Sequence, residues 1–203
     1  MTGRERVKAL VQATAYVVQN KIEGAFIECG VWRGGSVMAM ALALKDMGEV
    51  REIYLYDTFS GMVAPSPADG DAAQKLFSEL RISADSSRWL FCPVEEVKGN
   101  LSRTGYPSER LHFIKGKVEE TIPKTIPEKI ALLRLDIDFY ASTKHALIHL
   151  FPRVSPKGVV IFDDYGRWPG VKKAVDEYIA DNNLNLILHD LDRQARLSLK
   201  SPD

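Results

Sequence analysis

Ala25-Phe-Ile-Glu28-Cys29-Gly30-Val-Trp32-Arg33-Gly34-Gly35-Ser36 reads as a short apolar strand, a glycine-rich turn and the first residue of a helix. Glycines at 30, 34 and 35 let the backbone turn tightly and approach a bound group, and the start of the helix offers unpaired N–H donors. A tight turn alone could require the same glycines, and Ser36 could serve only as an N-cap. The spacing Gly-x-x-x-Gly-Gly is neither the Gly-x-Gly-x-x-Gly of nicotinamide sites nor a phosphate loop ending in Gly-Lys-Ser/Thr.

Working outward, the same alternation recurs. Residues 36–45 read as a helix, 53–56 as a strand closing at Asp57, and 58–70 as a loop punctuated by Gly61, Pro65, Pro67 and Gly70. Helical patterns follow at 71–80 and at 87–97, the second interrupted by Pro93. Residues 111–114 form a strand before the Gly116 turn and a short helix over 118–122. Strands at 129–135 and 159–162 then flank a helix at 142–151, and a further helix covers 170–180. Residues 184–188 and 195–199 read as a closing hairpin, and 4–19 as an opening helix with Val7, Leu10, Val11, Ala15 and Val18 on its apolar stripe. Strands separated by helices predict an α/β fold with a largely parallel sheet and helices on both faces. Right-handed crossovers then gather the loops after successive strands at one sheet edge, where open α/β folds bind ligands.

Two of those strands end in paired acids, Leu133-Arg-Leu-Asp136-Ile-Asp138 and Val160-Ile-Phe-Asp163-Asp164. Side by side, they would put four carboxylates in one small volume, and such a cluster repels itself unless a cation or shared protons relieve it. Asp136 and Asp138 share a side of an extended backbone, whereas Asp163 and Asp164 face apart unless the chain turns between them. Asp136 with Asp163 and Asp164 could hold one hard cation, Mg2+ first and Mn2+ second, leaving Asp138 as a base. Glu28, which punctuates an apolar strand, and Asp57 could accept hydrogen bonds from an ammonium or a ribose. Asp57 could equally be a loop-forming Asx residue. Trp32 and Trp168 suit a pocket wall or sheet-edge packing alike, His145 and His149 a helix face, and Arg33 and Lys172 a substrate contact.

Composition narrows the class. The chain has 203 residues, 45% of them hydrophobic, and 27 basic against 27 acidic residues, which fits one globular domain over 1–203 with no nucleic-acid or anionic-membrane partner indicated. No signal peptide or run of about 18 apolar residues is evident. Cys29 and Cys92 are too few for a disulfide framework and fit a reducing, cytoplasmic setting.

Five stretches in order, over about residues 24–180, resemble the macrocin O-methyltransferase family: 27–36, 55–62 (Leu-Tyr-Asp57-Thr-Phe59-Ser-Gly-Met), 133–143, 160–166 and 170–178. The resemblance implies a Rossmann-like class I methyltransferase fold with a mostly parallel seven-stranded sheet and an antiparallel C-terminal hairpin. It also implies methyl transfer from S-adenosylmethionine to a hydroxyl, typically on a deoxysugar of a glycosylated natural product. By position it gives Glu28, Gly30 and Ser36 to the amino-acid end of the cofactor, Asp57 to the ribose, Phe59 to the nucleoside border and Glu120 to the adenine amine. Asp136, Asp163 and Asp164 become Mg2+ ligands and Asp138 the general base. Residues 60–85 become a candidate lid, and a homodimer is one open assembly. Ile137 where relatives carry glycine, Lys144-His145, a short N-terminal segment and a less aromatic C-terminal end are departures that bear on the acceptor. A catechol or other non-sugar hydroxyl, a nicotinamide-dependent oxidation and a noncatalytic interaction role stand as alternatives.

Overall fold

In the computed structural model, which describes residues 2–122 and 124–201, the elements run α1 (Arg4–Gln19), β1 (Ala25–Cys29), α2 (Gly35–Asp46), β2 (Ile53–Asp57), α3 (Gly70–Leu80), α4 (Val94–Ser102) and β3 (Leu111–Lys115). They continue with α5 (Val118–Thr121), β4 (Ile130–Leu135), α6 (Tyr140–Leu150), β5 (Val154–Phe162), α7 (Pro169–Asp181), β6 (His189–Asp190) and β7 (Arg196–Leu199). The expected domain, 1–203, lies within the described residues except for Met1, Pro123, Pro202 and Asp203. The seven strands form one sheet ordered β3-β2-β1-β4-β5-β7-β6. Strands β1 to β5 pair in parallel, and β7 runs antiparallel to both β5 and β6.

Both faces of the sheet are covered, which is why the central strands are apolar except for Glu28 on β1 and Arg134 on β4. Residues of one parity (Phe26, Leu132, Val159, Ile161) join Leu10, Val37, Met40 and Leu101 in one core, and those of the other (Ile27, Leu133, Val160, Phe162) join Ala146, Leu147, Val171 and Val175 in a second. Helices α1, α2 and α4 cover the first face and α5, α6 and α7 the second. No helix among the described residues is long and apolar enough to cross a membrane.

Three expected elements moved. The helix expected over 87–97 begins only at Val94 because Pro93, in extended conformation, is its N-cap, and Leu90 before it lies at positive φ. Leu184, Leu186 and Leu188 do alternate inward against the second core, yet strand pairing is confined to His189–Asp190: alternation reports burial, whereas a ladder needs a paired backbone. Strand β5 starts at Val154, ahead of Pro156 and Gly158, with a register irregularity against β4 that absorbs those residues.

The strand ends are bound edge to edge. Gly30 N–H donates to Tyr56 C=O at 2.8 Å, Asp136 N–H to Cys29 C=O at 2.8 Å, Asp163 N–H to Leu135 C=O at 2.9 Å and Gly116 N–H to Asp57 C=O at 3.0 Å. These bonds align the loops after β1 to β5 on one rim. Gly30 is needed for that alignment: it sits at φ +82°, and a Cβ there would lie 1.8 Å from the Asp136 carbonyl oxygen. Gly30→Ala therefore combines the left-handed strain of roughly 1–2 kcal/mol with a backbone clash. We expect a lowered melting temperature and weakened packing of β1 against the end of β4, measurable by thermal unfolding and by hydrogen exchange at Asp136.

Candidate active site

The aligned rim walls a cavity of about 730 Å3 whose lining includes Glu28, Gly35, Ser36, Asp57, Trp89, Asp136, Asp138 and Asp164. Of the four expected acids, the structure joins three: ligand oxygens of Asp136, Asp138 and Asp164 all lie within 4.8 Å of one another. Asp163 lines the same cavity but is committed to arginines. Its Oδ2 accepts from Arg6 at 2.6 Å and its Oδ1 from Arg134 at 2.7 Å, so both oxygens are engaged. Strand parity explains the split. Asp163 continues the face of Val159 and Ile161, toward α1 and its Arg6, while Asp164 takes the next position at the cavity floor.

Arg134 is the hub of this floor. It is only 2% exposed and reaches Glu28 and Asp163, with Asp136 Oδ2 at 2.8 Å. Glu28 and Arg134 are register partners on β1 and β4, so the contact follows from strand pairing. Arg6 extends the network through Asp192 at 2.7 Å and through Gln194, tying α1 to the turn before β7. Sequence reading gave Arg134 and Arg6 no role. The available signal was a guanidinium inside the apolar run Ile130–Leu135, a position that demands buried partners.

Five carboxylates (Glu28, Asp136, Asp138, Asp163, Asp164) thus face two guanidinium groups. Burial is the first cause of the result. It pushes Glu28 up to about 8, with Arg134 opposing, and Asp164 up to about 8, with Asp138 reinforcing. Asp138 is pushed up to about 6 by burial and then by the charge of Asp136, against hydrogen bonds from Asp164 and Trp168. Asp136 is raised by burial despite Arg134. Protons shared among Asp136, Asp138 and Asp164 relieve the repulsion where a cation does not.

Asp138 departs from the extended backbone expected of it. Its φ is +59°, and Phe139 N–H donates to Ile137 C=O at 2.7 Å across it, closing a three-residue turn. Its Oδ1 accepts from Trp168 Nε1 at 2.8 Å.

The cofactor-side expectations divide. Glu28, Gly30 and Ser36 line the cavity, and Glu28 Oε2 is a buried oxygen with no hydrogen-bond partner. A Cβ on Gly35 would meet open space, so the backbone is open to approach there. Asp57 also lines the cavity, but as an Asx staple: Oδ2 accepts from Val31 and Trp32 N–H at 2.7 and 2.9 Å, and Oδ1 from Phe59 N–H at 2.7 Å. Phe59 turns at φ +50° into the first core beside Phe113, leaving Thr58 on the cavity wall. Glu120 points to solvent from α5, and the acid of that helix lining the cavity is Glu119. Trp32 and Trp168 sit at positive φ and in the second core respectively. Arg33 pairs with Glu96 and Lys172 with Asp176 on the surface. The neighbouring, mutually tilted rings of His145 and His149 belong to α6.

Of residues 60–85, Gly61, Met62 and Val63 reach the cavity wall. Met62 N–H donates to Trp89 C=O at 2.9 Å, and buried Asp69 accepts Tyr140 N–H at 2.6 Å, fastening α3 to the start of α6.

A parallel five-stranded sheet extended by an antiparallel pair, with an acidic, ligand-sized cleft at the carboxyl ends of its strands, is the Rossmann-like class I methyltransferase fold. The chain belongs to the macrocin O-methyltransferase family: the family model Macrocin-O-methyltransferase (TylF) matches residues 1–197. It is 35% identical over 166 residues to 8-demethyl-8-(2,3-dimethoxy-alpha-L-rhamnosyl)-tetracenomycin-C 4'-O-methyltransferase of Streptomyces olivaceus, covering 81% of this chain and 62% of that enzyme's length. It is 34% identical to demethyldecarbamoylnovobiocin O-methyltransferase of Streptomyces niveus, covering 95% of this chain and 72% of that enzyme. Among solved structures, the O-methyltransferase NovP superposes with TM-score 0.89 at 30% identity, over 98% of this chain and 81% of that one.

The raised carboxyls fix the sign of a pH effect. Their folded pKa values lie above the ordinary carboxylate range, so the folded state binds more protons than the unfolded state between about pH 4 and 8. The stability they contribute is full below the unfolded values and is lost as pH rises toward 8. In chelator-treated protein the melting temperature should fall across that window, and Asp164→Asn should flatten the fall. Thermal scans from pH 5 to 8 check both.

Proposed function

We propose that this protein is an O-methyltransferase that moves the methyl group of S-adenosylmethionine to a hydroxyl, on a sugar of a glycosylated natural product, with a divalent cation, Mg2+ first, in the acidic floor. The observation that carries the reading is the three-carboxylate cluster of Asp136, Asp138 and Asp164 sharing one cavity with the unpartnered Glu28 Oε2.

The residues fit these groups. An excess of buried carboxylates over guanidinium groups favours cations, and the sulfonium donor with its ammonium is one. Glu28 Oε2 is an acceptor with nothing to accept. Glu28, with the backbone around Gly35 and Ser36, would hold the amino-acid end. Thr58 and Asp57 would meet the ribose, where Asp57 is already committed to three N–H groups, so Thr58 takes a larger share than the sequence suggests. Glu119 replaces Glu120 as the acid facing the adenine. Asp136 and Asp164 would ligate the cation through hard oxygens, in keeping with Mg2+ or Mn2+, and Asp163 supports them by orienting Arg134. When bound, the donor supplies an electrophilic methyl group and the cation acidifies a hydroxyl.

The chain's own contribution is positioning and proton transfer. A sugar hydroxyl is a weak nucleophile near neutral pH, and Asp138, pushed up to about 6, is ionised there and more basic than an ordinary aspartate. With Oδ1 held by Trp168, Oδ2 takes the proton. Met62, Val63, Trp89 and Leu90 form an apolar wall that suits the C–H face of a sugar and excludes water. The segment 60–85 completes that wall and acts as a lid in this reading.

Transfer of a labelled methyl group to a glycosylated acceptor, abolished by chelation and restored by Mg2+, is the direct test; acceptance of only non-sugar hydroxyls would overturn the substrate class. Asp138→Asn should keep cofactor affinity and lower kcat by about 10²–10⁴-fold. Asp136→Ala should weaken metal binding as well, seen by calorimetric titration.

A further inference from the structure

Asp138 is held in a conformation that a non-glycine residue seldom adopts. Its φ of +59° sits inside a three-residue turn closed by Phe139 N–H to Ile137 C=O at 2.7 Å, and its carboxylate is 7% exposed. Such a turn persists only where its surroundings over-determine it. The surroundings here are aromatic. Trp168, itself 6% exposed, gives its only side-chain donor to Asp138 Oδ1 at 2.8 Å.

The indole is fixed from three directions. The backbone N–H of Trp168 belongs to the turn that presents Asp164, donating to Asp164 C=O at 3.1 Å, so one segment carries both a proposed ligand and the partner of the base. The Trp89 ring meets it edge-on at 5.7 Å, and the Arg167 guanidinium lies 4.9 Å from its centre. Trp89 also meets Phe139, the residue after Asp138, at 5.9 Å. The residue after the strained aspartate and the residue that bonds its carboxylate thus close on the same ring.

We infer that Trp168 is a positioning residue that locks the Asp138 carboxylate in one orientation, with Oδ1 occupied and Oδ2 presented to the acceptor hydroxyl. The inference rests on the reading of Asp138 as the base.

Trp168→Phe removes the donor and keeps an aromatic ring. It should lower kcat by about 10-fold to 100-fold, as expected for one hydrogen bond to a charged group, with KM for S-adenosylmethionine changed less than about twofold. In an Asp138→Asn background the same change should cost less than about twofold, because the route through the carboxylate is already broken. Equal losses in the two backgrounds, or unchanged kcat in Trp168→Phe alone, would overturn the inference. A readout independent of turnover comes from the 15N-labelled, ligand-free protein: one indole N–H of the three tryptophans should exchange slowly and move to the position of an exposed indole in Asp138→Ala. That measurement alters nothing at Trp168, so it holds even if Trp168→Phe fails to fold; three fast-exchanging indoles in the wild type would refute the hydrogen bond. Full turnover by Asp138→Asn alone would remove the base assignment, a result distinct from loss of the Trp168 coupling.

Discussion

A single guanidinium buried at the rim of the sheet is the constraint around which this site is built. Arg134 stands between Glu28, Asp136 and Asp163, on three adjacent strands or their ends, and is itself almost wholly buried. A buried pair of this kind contributes little net stability against an apolar replacement, yet losing one partner typically costs about 3–5 kcal/mol because a charge is stranded. Its structural effect is therefore to fix register and orientation. Strand pairing puts Glu28 opposite Arg134, and the fork of the guanidinium then sets where the carboxylates of β1, β4 and β5 end up.

That arrangement leaves the floor underneutralised. Arg6 brings a second positive charge from α1, but Asp192 shares it, so Asp136, Asp138 and Asp164 remain crowded with too little compensation. Their raised pKa values express this cost as proton uptake. A site that relieves its repulsion by binding protons is one that a cation can enter by displacing them, which links folding energetics to the chemistry proposed for the cleft. The strained turn at Asp138 is a second cost at the same place, offset by the aromatic clamp of Trp89, Phe139 and Trp168.

Much of this was legible in the chain. The βα alternation, the apolar runs and the glycine and proline punctuation are local signals, and they gave the parallel sheet and the rim on which the site sits, while the antiparallel end came with the family resemblance. The resemblance identified the family that the comparison then showed. What misled was side-chain direction. Phe59 and Glu120 each lie one position from the residue that reaches the cavity, Thr58 and Glu119, because a positive-φ turn and the phase of a four-residue helix decide facing, and neither is encoded in spacing alone. The helix expected over 87–97 slid forward to Val94 for the plain reason that proline at 93 starts a helix more readily than it continues one.

The sequence by itself determined the order and kind of the elements and the presence of paired acids after two strands, since periodicity and chemistry are properties of neighbouring residues. Only the tertiary structure decided which acids meet. Asp163 and Asp164 are adjacent in the chain, but pleating sends one toward the arginines and the other toward Asp136 and Asp138. The binding of Asp138 by Trp168, 30 residues away, likewise exists only because β4 and β5 lie side by side and bring their following loops together.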